Sequence, residues 1–341
     1  MHPFFRNMRH RATVIITTLL VCAIASLLVS GMIGSIAIPL ADMPTALLHL
    51  VQGNPDSLAA TLLELRLGRA STAFVTGAAL SLAGVMMQAL LRNPLADPYV
   101  LGLSSGASVG ALLALLLMYS LWAVDAAAFA GAVIISMLLY LLARRDLRGG
   151  TAAEGGASLL LLTGVILSSA SMALVTLMLS IAPEGRLRTM VFWMIGDLSG
   201  APVRLMPWVV LAGAMLFALR CARSLNVMAL HAEAASTLGV RVGALRKGLF
   251  FVSGLLTASA VTSAGSIGFV GLIVPHALRF ACGPDHRVLI PAAALAGGAF
   301  LVLADTMART VLAPLQLPVG VITAMIGAPV FLYQLHRLRR K

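Results

Sequence analysis

The sequence is short of charge. Only 11% of its 341 residues are charged, whereas 60% are hydrophobic and the mean hydropathy is +0.99. A soluble globular domain carries about a quarter charged residues, so this class of protein is excluded. We predict an all-α integral membrane protein, because a helix satisfies its own backbone hydrogen bonds in lipid.

Other absences exclude functional classes. The three cysteines share no metal-binding spacing, and we interpret them as small buried residues. No GxxxxGK[ST] phosphate loop occurs, so the chain itself is not expected to hydrolyse ATP by that mechanism. No residues have the spacing of a hydrolytic, redox or metal centre. We therefore predict a non-catalytic chain with no metal site and no cofactor of its own.

Long apolar runs are what the sequence has in abundance. A bilayer core of about 30 Å requires roughly 17–25 apolar residues per helix. The run after the basic segment 1–12 is interpreted as a retained first span and not as a signal peptide. A shorter run, 189–199, is predicted to form a partial helix that dips in from one face after the fifth span. The ten candidate spans are 14–33, 70–91, 100–118, 122–143, 158–181, 203–219, 245–264, 267–281, 288–312 and 319–335.

The basic residues indicate an orientation. Ten crossings place both termini on one side, and a cytoplasmic location for them puts most of the 24 lysines and arginines inside. The net charge of +12 is therefore interpreted as a topology signal, with membrane lipid and no nucleic acid as a partner. We expect 1–341 to form one transmembrane domain, with 1–12 and 336–341 in the cytoplasm.

Two polar segments interrupt the spans on the predicted cytoplasmic side. In QALLRNPLADP (88–98), Arg92 and Asn93 end the second span and Pro94 prevents an easy continuation of the helix, which predicts a tight turn. Gln88 lies about one turn inside the lipid boundary, where an amide should face protein or a water path. Both a packing role and a path role remain open for it.

The second polar segment is 224–248. Residues 232–238 are predicted to form a short helix, with Gly239 as its left-handed cap. A solvated helix between two spans is either an ordinary loop or a docking element, and spacing alone does not decide between them.

Long motifs resemble the FecCD family over nearly the whole chain and in the same order. They are LRLGR (65–69), GAALSLAGVMMQALLRNPLADPYVLGLSSGASVGA (77–111), MALHAEAASTLGV (228–240), GSIGFVGLIVPHALR (265–279), DHRVLIPAAALAGGAFLVLADTMAR (285–309) and LPVGVITAMIGAPVFLYQL (317–335). The resemblance implies a permease subunit of a type II ATP-binding-cassette importer for an iron chelate, haem or cobalamin. It also implies a homodimer of ten-helix subunits in the bacterial inner membrane. An ATPase dimer that binds ATP and Mg²⁺ and a periplasmic substrate-binding protein are the implied partners.

The resemblance assigns contacts at both ends of the molecule. Arg66, Arg69 and Arg309 are expected to grip carboxylates of the binding protein from the outer face, since a guanidinium binds a carboxylate bidentately. Gly68 replaces a common proline, so that loop is expected to be less rigid. Segment 225–244 is expected to couple to the ATPase, with His231 in place of the usual glycine. The coupling residues are Ala229, Leu230, His231, Glu233, Ala234, Leu238, Gly239 and Val240.

The implied mechanism is alternating access, with a path along the dimer axis. A weakly interacting wall of methionines would let a bulky ligand slide, although such residues are also typical of packing. The candidate path or gate residues are Gln88, Arg92, Asn93, Pro94, Leu95, Met86, Met87, Met172 and Leu174.

The alternative is an ion-coupled secondary transporter, which needs acidic or histidine residues inside its spans. Asp305 lies near the outer end of the ninth span, where pairing with Arg309 one turn later is the plainer interpretation. His276 follows Pro275, and a hydrogen-bonded histidine at a kinked helix end is favoured over a metal ligand. The sequence offers little else to couple an ion gradient.

Overall fold

The computed structural model describes residues 3–53, 57–144, 147, 153–200, 203–230 and 232–339, and these are entirely helical apart from turns and loops. Short 3₁₀ turns cover Leu40–Asp42 and Pro98–Leu101. The α-helices of these residues are α1 (Pro3–Met32), α2 (Met43–Val51), α3 (Leu58–Leu91), α4 (Leu103–Leu116), α5 (Leu121–Ala143), α6 (Ala153–Ile181), α7 (Glu184–Ile195), α8 (Met206–Leu230), α9 (Ala232–Thr237), α10 (Val242–Ala264), α11 (Val270–Cys282), α12 (His286–Thr310) and α13 (Val319–Arg339).

The helices confirm the predicted fold class. Within the described residues, seven helices are long and apolar enough to cross a membrane: α1, α3, α5, α6, α8, α10 and α12. Three shorter apolar helices, α4, α11 and α13, correspond to the remaining predicted spans. Each predicted span therefore coincides with one apolar helix.

Helix α3 is the buried centre of the bundle and packs against α12, α10 and α11. Helices gain little hydrophobic free energy by associating in lipid, so close contact depends on small residues. A Cβ atom at Gly77 would lie 2.2 Å from the carbonyl oxygen of Gly297, and one at Gly84 would lie 1.9 Å from that of Gly271. The glycines thus set the positions of α12 and α11 relative to α3.

Helix α3 is longer than the sequence predicted. It begins at Leu58, after Ser57 caps it by accepting a hydrogen bond of 3.1 Å from the Ala60 amide. Its 34 residues extend about 51 Å, well beyond a bilayer core of about 30 Å. Charged side chains before residue 70 interrupt the apolar run, but arginine and glutamate are good helix formers, so the helix continues through them. The expectation of a loop around Gly68 is wrong, because Gly68 lies within this helix.

Helix α7 confirms the predicted partial helix but starts five residues earlier. Pro183 stands at its N-cap and Glu184 in its first turn, and both favour the start of a helix. Gly196, at φ +90°, ends it. Helix α2 was not predicted from the sequence.

The bundle has two distinct ends. At the first, which we name the coupling end, the end of α3 meets the end of α8 and the starts of α10 and α12. At the second, the arginine end, Arg309 of α12 contacts Ser30 near the end of α1. The Leu317 amide donates to the Ala308 carbonyl there (3.0 Å), just before α13 begins. The N-terminal half of α1 and the C-terminal half of α13 therefore lie toward the coupling end.

Candidate functional site

An ion-pair network lies at the arginine end, and we name Arg66, Arg69 and Arg309 its arginine cluster. Asp305 of α12 is fully buried between two of them. Arg69 Nη2 is 2.8 Å from Asp305 Oδ1, and Arg69 Nε is 3.0 Å from both carboxylate oxygens. Arg309 Nε is 3.1 Å from Asp305 Oδ2, although it is not aligned for a hydrogen bond. The predicted Asp305–Arg309 pair is confirmed, and α3 supplies a second cation.

The remaining donors of the cluster tie four segments together. Arg309 Nη2 donates to Ser30 Oγ (2.7 Å), and Arg69 Nη1 donates to Gln316 Oε1 (2.8 Å). Arg66 donates to backbone carbonyls at the end of α1, with Nη1 3.0 Å from Met32 O. The cluster thus fixes α1, α3, α12 and the segment before α13. Sequence gave no sign of Ser30 or Gln316 as partners, because neither lies within a motif.

The arginines do not protrude as docking side chains would. Arg66 and Arg309 are 6% and 4% exposed. With Arg69 they line a cavity of about 580 Å³ that Ser199 and Gln316 also border. Arg69 and Arg309 share one carboxylate and Arg66 is bound only by backbone carbonyls, so the cluster keeps a net positive charge that favours an acidic partner. The binding-protein docking role stays a prediction, now directed to this cavity.

The coupling segment 225–244 is only partly a loop. Helix α8 continues to Leu230, eleven residues beyond the predicted end of its span. Helix α9 follows, and Gly239 then adopts φ +81°, the left-handed conformation that favours glycine. The Gly239 amide donates to Ser236 O (3.0 Å) and the Val240 amide to Ala235 O (2.9 Å). The predicted short helix and its glycine cap are confirmed.

The outer surface of this segment is available for contact. Ala235 is fully buried and anchors α9, while Leu238 is 69% exposed next to the Gly239 turn, and Ala229 is exposed on α8. His231 lies outside the described residues. The side chains of Leu230, Glu233 and Ala234 lie outside the described part of the chain as well. The coupling roles stay predictions.

The turn after α3 forms as predicted. Arg92 adopts φ +51°, and Asn93 Oδ1 accepts a hydrogen bond of 2.9 Å from the Leu95 amide. Asp97 Oδ1 accepts another, of 2.7 Å, from the Tyr99 amide. Burial raises the pKa of Asp97 to about 6, although the Tyr99 hydrogen bond acts in the opposite direction. Pro94 is exposed and lines a cavity described below.

Gln88 links α3 to α11. Its Nε2 donates to the carbonyls of Gly271 (3.4 Å) and Leu272 (3.3 Å), and Arg279 donates to its Oε1. This arrangement supports the packing alternative for Gln88. Arg279 was missed by the sequence analysis; the one available signal was an arginine within an apolar run.

The residues of the predicted methionine wall fall into two groups in this structure. Met86 and Met87 are fully buried in the core around α3, whereas Met172 and Leu174 are about half exposed on α6. Met86 and Met87 offer no surface to a path, so that part of the prediction is wrong, whereas the path role of Met172 and Leu174 stays a prediction. Consecutive residues on a helix point in different directions, but a sequence does not show that both directions are covered by neighbouring helices.

His276 also differs from expectation. Its two ring nitrogens have no hydrogen-bond partner among the described residues, and the ring packs edge-on against Phe280 at 5.0 Å between centroids. The expected hydrogen-bonded histidine is therefore wrong. Asp305, the other residue that an ion-coupled transporter would use, is occupied by the arginine cluster.

Known proteins are similar to this chain in sequence and in fold. The model of the FecCD transport family matches residues 19–337. The chain is 43% identical over 288 residues to the cobalamin import system permease protein BtuC of Halobacterium salinarum, which covers 83% of this chain and 75% of that protein. It is 41% identical over 282 residues to the vitamin B12 import system permease protein BtuC of Escherichia coli O9:H4, covering 81% and 84%.

Solved structures agree with this similarity. A metal-chelate type ABC transporter in an inward-facing conformation superposes with a TM-score of 0.80 at 30% identity, covering 95% of this chain and 99% of that one. PsaBC from Streptococcus pneumoniae, in complex with Fab, superposes with a TM-score of 0.56 at 17% identity, covering 84% and 95%. The second similarity concerns the fold alone.

Proposed function

Because this chain belongs to the FecCD transport family, we propose that it is the permease subunit of an ATP-driven importer whose cargo is cobalamin. The observation that carries the proposal is the 43% and 41% identity to archaeal and bacterial cobalamin permeases over more than four fifths of the chain. The metal-chelate type transporter is consistent with it, because cobalamin is itself a metal chelate.

The energy for transport comes from outside this chain. A cytoplasmic ATPase dimer binds ATP and Mg²⁺ and contacts the coupling end. The contact surface is the exposed Leu238 beside the Gly239 turn, together with Ala229. Ala235 of α9 is fully buried, and α9 contacts α8 and α10. A force on α9 therefore passes to the adjoining ends of these two helices. A rigid-body movement of these helices changes the accessible side of the path.

The arginine end receives the cargo. It faces the periplasm, which places the coupling end and both termini in the cytoplasm of a bacterial inner membrane. A substrate-binding protein docks acidic side chains at the cavity of the arginine cluster, where positive charge exceeds negative charge. Two copies of the chain form a homodimer around the path.

Uptake into proteoliposomes that contain the permease, its ATPase and its binding protein tests the cargo. We expect ATP-dependent uptake of labelled cobalamin. An excess of unlabelled haem or of a ferric siderophore should not reduce this uptake. A control without the binding protein should show little uptake. Uptake of haem or a ferric siderophore in preference to cobalamin would contradict the assigned cargo while leaving the permease function intact.

A further inference from the structure

A basic cavity of about 470 Å³ opens at the coupling end, between the ends of α3 and α8 and the starts of α10 and α12. Its volume is within the range of about 300–1,000 Å³ that is typical of small-ligand sites. Arg92, Arg246, Arg279 and His286 line it, and no aspartate or glutamate is among its described lining residues. Gln88, Arg92 and Pro94, which are predicted path or gate residues, and Ala229 of the predicted coupling surface also border it, but the sequence predicts no anion there.

Arg246 is the central observation. It is only 6% exposed, and its Nε has no hydrogen-bond partner in the described part of the chain. No described carboxylate lies within 4.0 Å of its guanidinium, while Arg92 is near enough to repel it electrostatically. A buried cation without a counter-charge is costly, and this cost indicates an anionic partner from outside the described residues.

Two further groups face the same cavity. Arg279 is held on its wall by donating from Nη1 to Gln88 Oε1. His286 Nδ1 lies 2.8 Å from Asn226 Oδ1, which fixes the ring, and its Nε2 has no partner among the described residues although His286 is only 4% exposed. The bond to Asn226 Oδ1 uses the Nδ1 proton, so Nε2 of the neutral ring is an acceptor and His286 adds no donor to the cavity. Arg246 Nε is therefore the donor on a side chain more than nine-tenths buried that stays unpartnered beside the cavity.

We propose that this cavity binds a phosphate-type oxyanion, held by Arg246 and Arg279. The forked guanidinium group matches phosphate oxygens in charge and geometry. Basic pockets between spans on the cytoplasmic side bind the head groups of anionic lipids, and this cavity lies where α3 ends. An anionic phospholipid and free inorganic phosphate offer the same chemistry. The proposal holds for any cargo, and it rests on the cytoplasmic location of the coupling end that is part of the proposed function.

Two binding measurements on the purified, delipidated full chain distinguish these sources. The first is a titration with inorganic phosphate that follows the unfolding temperature. The second is native mass spectrometry with phosphatidylglycerol, compared with a phosphate-free glycolipid of the same acyl chains. Each is repeated with Arg246→Gln and with Arg223→Gln, a matched control because Arg223 is exposed near the end of α8 and does not line the cavity.

We expect Arg246→Gln to weaken binding of phosphate, phosphatidylglycerol or both by at least about tenfold, as for the loss of a charged hydrogen bond. Arg223→Gln should bind as the wild type does. Binding of phosphatidylglycerol alone identifies a lipid site, and binding of inorganic phosphate identifies a free-anion site.

The fold of the variant is checked in anion-free buffer. Because Arg246→Gln removes an unpaired buried charge, its unfolding temperature there should not fall below that of the wild type. If it does, Arg246→Lys, which keeps the charge, replaces it and should weaken binding by several-fold. Equal binding of the glycolipid, or binding that does not depend on Arg246, would overturn the proposal. An Arg246→Gln variant that binds phosphate and phosphatidylglycerol as the wild type does but no longer associates with the ATPase would also overturn it, since the anion would then be an acidic side chain of that partner.

Discussion

Substitution of Asp305 by asparagine should destabilise the protein strongly. Asp305 is fully buried, and it is the carboxylate that pairs with both Arg69 and Arg309, whose side chains are 12% and 5% exposed. Asparagine keeps the size of the side chain but leaves two poorly solvated cations without their counter-charge. Breaking a buried pair in this way costs about 3–5 kcal/mol.

The chain offers a matched control at Asp125, which pairs with Arg204 where the side chains are 18% and 31% exposed. Asp125→Asn should cost no more than about 1 kcal/mol, because water solvates both groups. With roughly 2 °C per kcal/mol for a chain of this size, the expected falls in unfolding temperature are about 6–10 °C for Asp305→Asn and about 2 °C or less for Asp125→Asn.

The measurement is thermal unfolding of the purified chain in detergent at low and at high salt. High salt should reduce the effect of Asp125→Asn and leave that of Asp305→Asn nearly unchanged, because a buried pair is little screened. Adding Arg309→Gln to Asp305→Asn should restore part of the stability, since one unpaired cation is removed. Equal falls for the two aspartate variants, or no recovery in the double variant, would refute the reasoning.

Gly84→Ala should lower the unfolding temperature because its Cβ would lie 1.9 Å from a backbone oxygen, whereas Gly213→Ala, which meets nothing within 4 Å, should not lower it. Asp97→Asn should be more stable than the wild type at neutral pH. Burial raises the pKa of Asp97 to about 6, so ionisation of the Asp97 carboxyl destabilises the wild-type fold. In unfolding scans the difference in the free energy of unfolding should be absent below about pH 4 and reach about 2–3 kcal/mol above pH 6. Leu238→Asp should reduce ATP-dependent transport without a fall in unfolding temperature, because Leu238 is exposed; normal transport would remove it from the coupling surface. Ser199→Glu should slow association of the binding protein at low salt, and less at high salt, whereas Ser199→Gln should not; equal rates would contradict docking at this cavity.

Local chemistry made part of the molecule predictable. The left-handed Gly239 that ends α9 and the Asn93-Pro94 turn after α3 depend on residues within a few positions of each other. The apolar runs located the seven long and the three shorter apolar helices that could belong to spans in the described part of the chain, because hydropathy over a span is also a local property.

Contacts between distant residues were not predictable in the same way. Asp305 and Arg69 are 236 positions apart, and they meet because Gly77 and Gly297 allow α3 and α12 to approach. A single sequence shows that a residue is small or charged, but it does not show which other helix faces it. For the same reason the burial of Met86 and Met87 was missed.

The energy source of transport tests the central claim most directly. Proteoliposomes that contain the permease and binding protein are loaded with ATP and Mg²⁺, with and without the ATPase, and labelled cobalamin uptake is followed with and without imposed proton and sodium gradients. The account predicts uptake only when the ATPase and ATP are both present, at a rate that the gradients do not change. Uptake driven by either gradient in the absence of the ATPase would contradict it and identify an ion-coupled transporter.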